Sequence, residues 1–258
     1  MNTIRFSPSL NRYLSGIGTF FLVLLTLSLS EAPAGEWRVS PIRLDLGSDV
    51  KSGVLSVVNE GTGKFQVQMK ASQWTQDEEG KDQYTETSDI IFFPKFMLFD
   101  KPEERILRAG IKMPSAATEK TYRLFIEEIP DPKRAEGPTI AIAIRFGVPI
   151  FVKPLKEVAK GEISTIALSK GNVTIGVKNS GNVHFIINGV FIKGKNAKGE
   201  EILSKKLDGW YLLNGVSRNY SADIPRDVCS DLAKLDIEVK TSRFNLDGKL
   251  DVDKTMCQ

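Results

Sequence analysis

The sequence is poor in the residues on which most enzymatic and metal sites depend. It has one histidine, His184, and two cysteines in 258 residues. With one histidine, no cysteine near it and no strand-turn-helix pattern around a serine, the sequence indicates neither a hydrolytic triad nor a zinc site. His184 alternates with apolar neighbours in a predicted strand, so we expect a packing or surface residue rather than a ligand. Carboxylates are plentiful but scattered through predicted turns. We therefore predict no enzyme, no metal and no cofactor.

Strong charge of either sign is also missing. The formal net charge is +3, and the basic residues are spread along the chain with no dense cluster among aromatics. Nucleic acid is therefore not an expected partner. After the first 34 residues, no segment approaches the roughly eighteen consecutive apolar residues that a membrane-spanning helix needs. We expect no membrane insertion of the mature chain.

The first residues have the features of a signal peptide. Arg5 and Arg12 form a positive region, residues 17–29 an apolar run, and Ala32-Pro33-Ala34 a small-residue cleavage site. Residues 1–34 are therefore predicted to be a signal peptide, with an uncleaved anchor as the alternative. Cleavage would remove two arginines and one glutamate and leave a formal charge of +2.

The two cysteines, Cys229 and Cys257, both lie in the last thirty residues. In an exported chain, such a pair forms a disulfide more often than a metal site. We predict a Cys229–Cys257 disulfide; the alternative is a free pair in a reducing compartment.

From Trp37 onward the sequence has a strand rhythm and no sustained helical period. Short alternating segments are separated by turn residues, pause at residues 154–160 and begin again after Gly161. Residues 174–188 repeat the outline of residues 56–70: a strand, an Asn-x-Gly turn and a longer strand. The pattern predicts an all-β protein with two immunoglobulin-like sandwiches in tandem, over residues 35–155 and 156–258. The turn at Asn59 predicts a hairpin between its flanking strands.

The segment from Pro138 to Pro154, PTIAIAIRFGVPIFVKP, is the most distinctive. Its large apolar residues fall at every second position and would share one face of a strand. Pro149 has no N–H for a ladder, which favours an edge, a bulge or a strand exit. The segment is either an ordinary core strand or a surface that adds itself to another protein's sheet.

Several motifs together resemble one family. They are SPIRLDL (40–46), FFPKF (92–96), ERILRAG (104–110), YRLFIEEIP (122–130) and FVKP (151–154). In this order and spacing they resemble the periplasmic pilus-assembly chaperones of the PapD-like family, over essentially the whole mature chain and most clearly over the first domain. FFPKF also places an aromatic residue before Pro94, which favours a cis Phe93–Pro94 bond modestly.

The resemblance implies a strand that is donated to pilus subunits, whose own sandwich lacks a strand. Its donor side chains would be Ile140, Ile142 and Ile144, with Phe146 and Val148 continuing the stripe.

The resemblance also implies an anchor for the subunit's terminal carboxylate, made by an arginine and a lysine. Arg43 matches the arginine, but the lysine position falls on Pro149. Arg123 is the preferred substitute, and Arg145 is the next.

Glu128 and Lys153 match residues that fix the angle between the two domains. The implied function is that of a non-enzymatic periplasmic chaperone that holds pilus or fimbrial subunits and passes them to an outer-membrane usher, with possible self-association when free. The alternatives are an exported pilus subunit or adhesin, and a carbohydrate-binding or enzymatic sandwich protein.

Overall fold

Alternating apolar residues fold the chain into strands, as the sequence predicts. The structure is a computed structural model, and it describes residues 37–112, 116–130 and 143–258. The predicted signal peptide and the donor positions Ile140 and Ile142 lie outside these residues. The strands are β1 (Trp37–Ser40), β2 (Leu44–Leu46), β3 (Ser52–Asn59), β4 (Phe65–Gln76), β5 (Asp82–Glu86), β6 (Ile90–Phe93), β7 (Phe96–Phe99), β8 (Glu103–Ile111), β9 (Lys120–Ile129), β10 (Arg145–Val152), β11 (Gly161–Ser169), β12 (Asn172–Asn179), β13 (Phe185–Asn196), β14 (Glu201–Leu207), β15 (Tyr211–Leu212), β16 (Ser217–Asp223), β17 (Leu232–Thr241) and β18 (Asn245–Asp251). A short helix α1 (Arg226–Asp231) and a 3-10 helix (Lys254–Cys257) complete the elements.

The first domain is a sandwich of two sheets. One sheet has the order β1-β3-β8-β6, and the other has the order β2-β10-β9-β4-β5 with β7 also paired to β4. Inward side chains of both sheets form one core, which includes Leu55, Val57, Val67, Phe99, Leu107, Leu124, Ile126 and Ile150.

The second domain is a separate sandwich with its own core. Its sheets have the orders β11-β12-β16 and β14-β13-β17-β18, and β15 pairs with β13. The core includes Val173, Ile175, Val177, Phe185, Val190, Ile192, Leu235 and Val239. The predicted all-β class with two immunoglobulin-like sandwiches is confirmed.

The predicted hairpin at Asn59 is wrong. β3 pairs with β1 and β8, whereas β4 pairs with β5, β7 and β9, so the turn carries the chain from one sheet to the other. The reason is the buried Asn59 side chain, which donates to the carbonyls of Gly63 (3.2 Å) and Lys101 (3.0 Å) and accepts from the N–H of Gly61 (3.1 Å). These bonds replace the cross-strand bonds that a hairpin would make.

Asn179 makes the same set of bonds in the second domain. Its amide donates to the carbonyls of Val183 (2.9 Å) and Leu212 (3.0 Å), and its oxygen accepts from the N–H of Gly181 (3.0 Å). Here too the turn joins strands of different sheets, β12 and β13. The internal repeat seen in the sequence therefore corresponds to one repeated structural unit.

The predicted disulfide between Cys229 and Cys257 is present, with a Cα–Cα distance of 5.8 Å. It joins α1 to the 3-10 helix near the end of the chain. The Phe93–Pro94 bond is cis, as is the Ser40–Pro41 bond. Within the described ranges, none of the helices has both the length and the apolar character needed to cross a bilayer.

Candidate functional site: the open edge of β10 and its arginines

One edge of β10 is paired with another strand over only part of its length. Along one side it pairs with β9 from Arg145 to Val152. Along the other side it pairs in parallel with β2, but only through Ile150–Val152. From Arg145 to Pro149 this second side has no strand partner among the described residues, and we call it the open edge. A strand could add there.

Backbone N–H and C=O groups point alternately to the two sides of β10, and this alternation decides which of them face the open edge. The N–H of Glu128 donates to the carbonyl of Ile144 (3.0 Å), so these two residues form a hydrogen-bonded pair. Such pairs alternate along an antiparallel ladder, so Arg145, Gly147 and Pro149 direct their backbone groups outward. Pro149 has no N–H, and the open edge therefore offers the N–H groups of residues 145 and 147 only.

The apolar stripe of β10 belongs partly to the first domain's own core. Val148 is 3% exposed and Ile150 is fully buried, whereas Ile144 and Phe146 are half-buried and pack against the rim of the core. Val148 is therefore buried by its own domain, and its place in the donor stripe stays a prediction from the family resemblance. Large apolar residues alternate without a break from Ile144 to Val152. The sequence therefore does not mark where the half-buried residues end and the core begins.

Three sequence-predicted positions form a row across the sheet. The antiparallel register pairs Pro149 with Arg123 of β9. The parallel register pairs Ile150 with Leu44, so Arg43 lies one step before it, on the other side of Pro149. Pro149 stands where the sequence resemblance implies a lysine, and an arginine flanks it on each side. All three share the sheet face opposite the core, since Leu44 and Ile150 point inward.

Arg123 is the more buried of the two flanking arginines. It is 8% exposed, and its guanidinium carbon lies 3.9 Å from the centroid of the Trp74 ring. Nη1 donates to the carbonyl of Gly147 (2.8 Å). The buried Nε has no hydrogen-bond partner, and within the described residues no carboxylate lies at ion-pair distance from this side chain. Arg123 therefore has no carboxylate partner among the described residues and keeps one unused donor, Nε.

Arg43 is exposed and Arg145 is displaced from the row. The Arg43 guanidinium lies 5.7 Å from the Phe151 ring centroid and pairs with Asp45 (2.9 Å). Arg145 stacks on Phe125 (3.7 Å) and pairs with Glu127 (2.8 Å). Four residues separate positions 145 and 149, which is about 13 Å along a strand. The structure therefore brings Arg43 and Arg123 together and leaves Arg145 apart.

The second domain packs against the same sheet face through aromatic rings. Tyr211 lies 5.6 Å from the Arg123 guanidinium and 5.8 Å from the Phe151 ring centroid. The Phe151 ring stacks on His184 with 3.6 Å between centroids. The floor beneath the two arginines is therefore built by both domains.

A hairpin of the first domain reaches across to β15. The Gln76 amide donates to the Tyr211 carbonyl (2.9 Å) and accepts from the Leu213 N–H (2.9 Å). The Trp210 indole donates to Asp82 (3.0 Å), which also accepts from Tyr84 (3.1 Å). Burial and the Asp82 carboxylate raise the pKa of Tyr84, so its hydroxyl keeps the proton that it donates.

The two predicted interdomain residues, Lys153 and Glu128, make different kinds of contact. Lys153 pairs with Glu157 (3.5 Å), and Glu157 pairs with Arg243 of the second domain (3.3 Å). Glu128 instead bonds within the first domain, where its carboxylate accepts from the Ile144 N–H (3.3 Å). The interdomain role of Glu128 stays a prediction from the family resemblance.

Sequence reasoning missed the buried contact that Glu119 makes with the second domain. Its Oε2 accepts from the His184 N–H (2.8 Å) and lies 2.7 Å from Nδ1 of the same histidine. Asn182 adds a second link, because its amide donates to the Ala117 carbonyl (2.9 Å). The signal was the sole histidine itself, which follows the Asn-x-Gly turn of the second domain.

The described residues thus form two immunoglobulin-like sandwiches in tandem, and an unpaired strand edge of the first one lies beside two arginines. Residues 37–157 match the family "Pili and flagellar-assembly chaperone, PapD N-terminal domain". The first domain therefore matches a PapD-like chaperone domain, in agreement with the family resemblance seen in the sequence. No curated protein matches the chain.

Solved structures share the fold over both domains. A chain of the CsuC–CsuE chaperone–tip adhesion subunit complex of Acinetobacter baumannii is 18% identical, with a TM-score of 0.58 over 82% of this chain and 98% of that one. The class 5 fimbriae chaperone CfaA is 11% identical, with a TM-score of 0.53 over 83% and 98% of the two chains. The CupB2 chaperone of Pseudomonas aeruginosa is 14% identical, with a TM-score of 0.50 over 84% and 100%. At these identities the likeness concerns the fold.

Proposed function

We propose that this protein is a periplasmic chaperone that captures pilus or fimbrial subunits by strand donation and delivers them to an outer-membrane usher. The family of the first domain and the fold of both domains support a chaperone of this class. The periplasmic location rests on the predicted signal peptide and on the family. The usher as a further partner, and self-association of the free protein, rest on the family resemblance alone.

The observation that carries the proposal is the open edge of β10. β2 already pairs with β10 in parallel, and its pairing stops at Ile150. A strand of another protein that runs in the same direction would occupy the edge upstream of β2. Its carboxyl end would then meet the start of β2, beside Arg43. The foreign strand would thus continue in line with β2, and both strands would pair with the same edge of β10.

The two flanking arginines suit the terminal carboxylate of such a strand. Arg43 and Arg123 lie on either side of Pro149, so a guanidinium takes over the place of the missing lysine. Guanidinium groups bind carboxylates through two parallel hydrogen bonds. Arg123 has an unpartnered buried Nε and Arg43 is accessible. Arg145 is a weaker candidate, because it lies four residues before Pro149, about 13 Å along the strand.

The apolar side chains upstream of the core would fill the incomplete sandwich of the subunit. Ile140, Ile142 and Ile144 alternate at the entry to β10, and Ile144 is only half-buried. Each such side chain contributes about 2 kcal/mol when it becomes fully buried. Three of them would stabilise an exposed subunit core, although the net affinity is smaller because association costs entropy.

Co-purification of a co-expressed subunit from periplasm tests the function. We expect Arg43→Ala and Ile142→Asp to leave the chaperone folded and to abolish co-purification. Ile106→Asp is the matched control, because Ile106 is 46% exposed on the other sheet. Retention of the subunit by both Arg43→Ala and Ile142→Asp would remove strand donation as the mechanism.

A further inference from the structure

Arg123 reaches the open edge by lying across β10. It belongs to β9 and stands opposite Pro149. Its Nη1 nevertheless donates to the carbonyl of Gly147 (2.8 Å), and the alternation of backbone groups along β10 directs that carbonyl away from β9. The arginine side chain therefore passes over the face of β10 at residue 147.

The absence of a side chain at position 147 leaves the path open. A Cβ built on Gly147 would lie 3.1 Å from Cε1 of Phe125 and 3.9 Å from Cδ of Arg123. One methyl group would crowd Phe125 and only touch the arginine. A branched side chain would extend into the space that the Arg123 methylenes occupy. Gly147 is not among the glycines with positive φ, so this glycine provides room for the Phe125 ring and the Arg123 side chain rather than a special backbone conformation.

The surroundings hold Arg123 in this path. Its guanidinium lies against the Trp74 ring (3.9 Å) and near the Tyr211 ring (5.6 Å). The side chain is therefore fixed on one side by aromatic rings and on the other by the bare backbone of β10. A branched side chain at position 147 would therefore move the guanidinium from the edge.

We propose that Gly147 is a positioning residue for the carboxylate anchor: it lets Arg123 cross β10 and present its guanidinium at the open edge. The consequence for subunit capture rests on the proposed function. The displacement of Arg123 itself does not, because it can be measured in the free protein.

The free protein gives the first test. The three tryptophan indole resonances in a ¹H–¹⁵N spectrum can be assigned with Trp74→Phe. We expect Gly147→Val to move the Trp74 resonance toward its position in Arg123→Ala, because both variants remove the guanidinium from the ring. Gly147→Ala should move it less. Ser221→Val, an exposed strand position of the second domain, is the control and should leave it unchanged. A Trp74 resonance that Arg123→Ala moves and Gly147→Val does not would overturn the proposal.

Subunit capture gives the second test. We expect Gly147→Val to lower subunit affinity about tenfold, the effect of losing one hydrogen bond to a charged group. The Arg123→Ala/Gly147→Val double variant should be no weaker than Arg123→Ala alone, whereas independent effects would multiply. Additive losses, or full affinity in Gly147→Val, would contradict the proposal.

The combined results separate a failure of this inference from a failure of the proposed function. If Arg43→Ala and Ile142→Asp lose the subunit while Gly147→Val keeps it, this inference fails and the proposed function stands. If all of them keep it, the proposed function fails, and the Trp74 resonance still decides the path of Arg123. Should Gly147→Val lose its cooperative thermal transition, Phe125→Leu in the same chain gives the added methyl groups room, and the tests are repeated in that background.

Discussion

Glu119 and His184 join the two sandwiches through a buried contact. Oε2 of Glu119 accepts the backbone N–H of His184 (2.8 Å) and lies 2.7 Å from its Nδ1. The two residues are 6% and 5% exposed, and the histidine ring also stacks on Phe151. The contact links the second domain directly to the floor beneath Arg43.

Removal of the Glu119 carboxylate should loosen this link. Glu119→Ala leaves the buried N–H of His184 without an acceptor, which costs about 1–3 kcal/mol. Urea denaturation should therefore show a lower unfolding midpoint. Glu162→Ala, an exposed position on β11, is the control and should stay near the parent midpoint. Equal midpoints for the two variants would mean that the buried contact adds nothing to stability.

The two Asn-x-Gly turns predict equal effects in the two domains. Asn59→Ala and Asn179→Ala each remove three hydrogen bonds from a buried turn. We expect each to lower the free energy of unfolding by about 2 kcal/mol or more, because buried carbonyls are left unpaired. Asn245→Ala, exposed at the start of β18, is the control. A loss of stability in only one domain would mean that the two turns share a sequence pattern but do not contribute equally to stability.

The sequence predicts the strands well and their partners less well. Alternation identified the strands on both sides of Asn59, because side chains on a strand change face at each residue. The same turn predicts a hairpin that the structure does not contain, because an Asn-x-Gly signal does not show whether the asparagine side chain is buried. In the structure the Asn59 amide bonds to Lys101, 42 residues away, and local spacing carries no record of that contact.

The candidate site, too, is predicted from the sequence only in part. Arg43 and Arg123 were identified from motifs and lie together, because strand register fixes which residues are neighbours across a sheet. Glu128 was assigned to the domain interface, but Glu119, which immediately precedes β9, makes the buried interdomain contact. Which end of β9 meets the second domain is decided by tertiary packing, and the alternation within β9 is the same in either case.

The disulfide should stabilise the second domain without taking part in subunit capture. Cys229 and Cys257 close a loop with a sequence separation of 28, and a cross-link of this length contributes about 3 kcal/mol in the chain-entropy account. We expect the Cys229→Ala/Cys257→Ala variant to unfold at a lower temperature by calorimetry. Addition of a reductant should shift the parent protein toward the variant and leave the variant unchanged. An unshifted midpoint in the variant would contradict a stabilising role.

The three candidate arginines should differ in a fixed order when subunit affinity is measured by titration of a subunit released from the complex. Arg123→Ala and Arg43→Ala should each weaken binding about tenfold or more, since each removes a charge-assisted hydrogen bond to the carboxylate. Arg145→Ala should change it by less than about fivefold, because at about 13 Å from the row at Pro149 its screened attraction to the carboxylate is below about 1 kcal/mol. Arg123→Lys keeps the charge but loses the planar fork of donors, so it should fall between the parent and Arg123→Ala. The reverse order, with Arg145→Ala the weakest binder, would move the anchor about 13 Å along β10 and away from the row at Pro149.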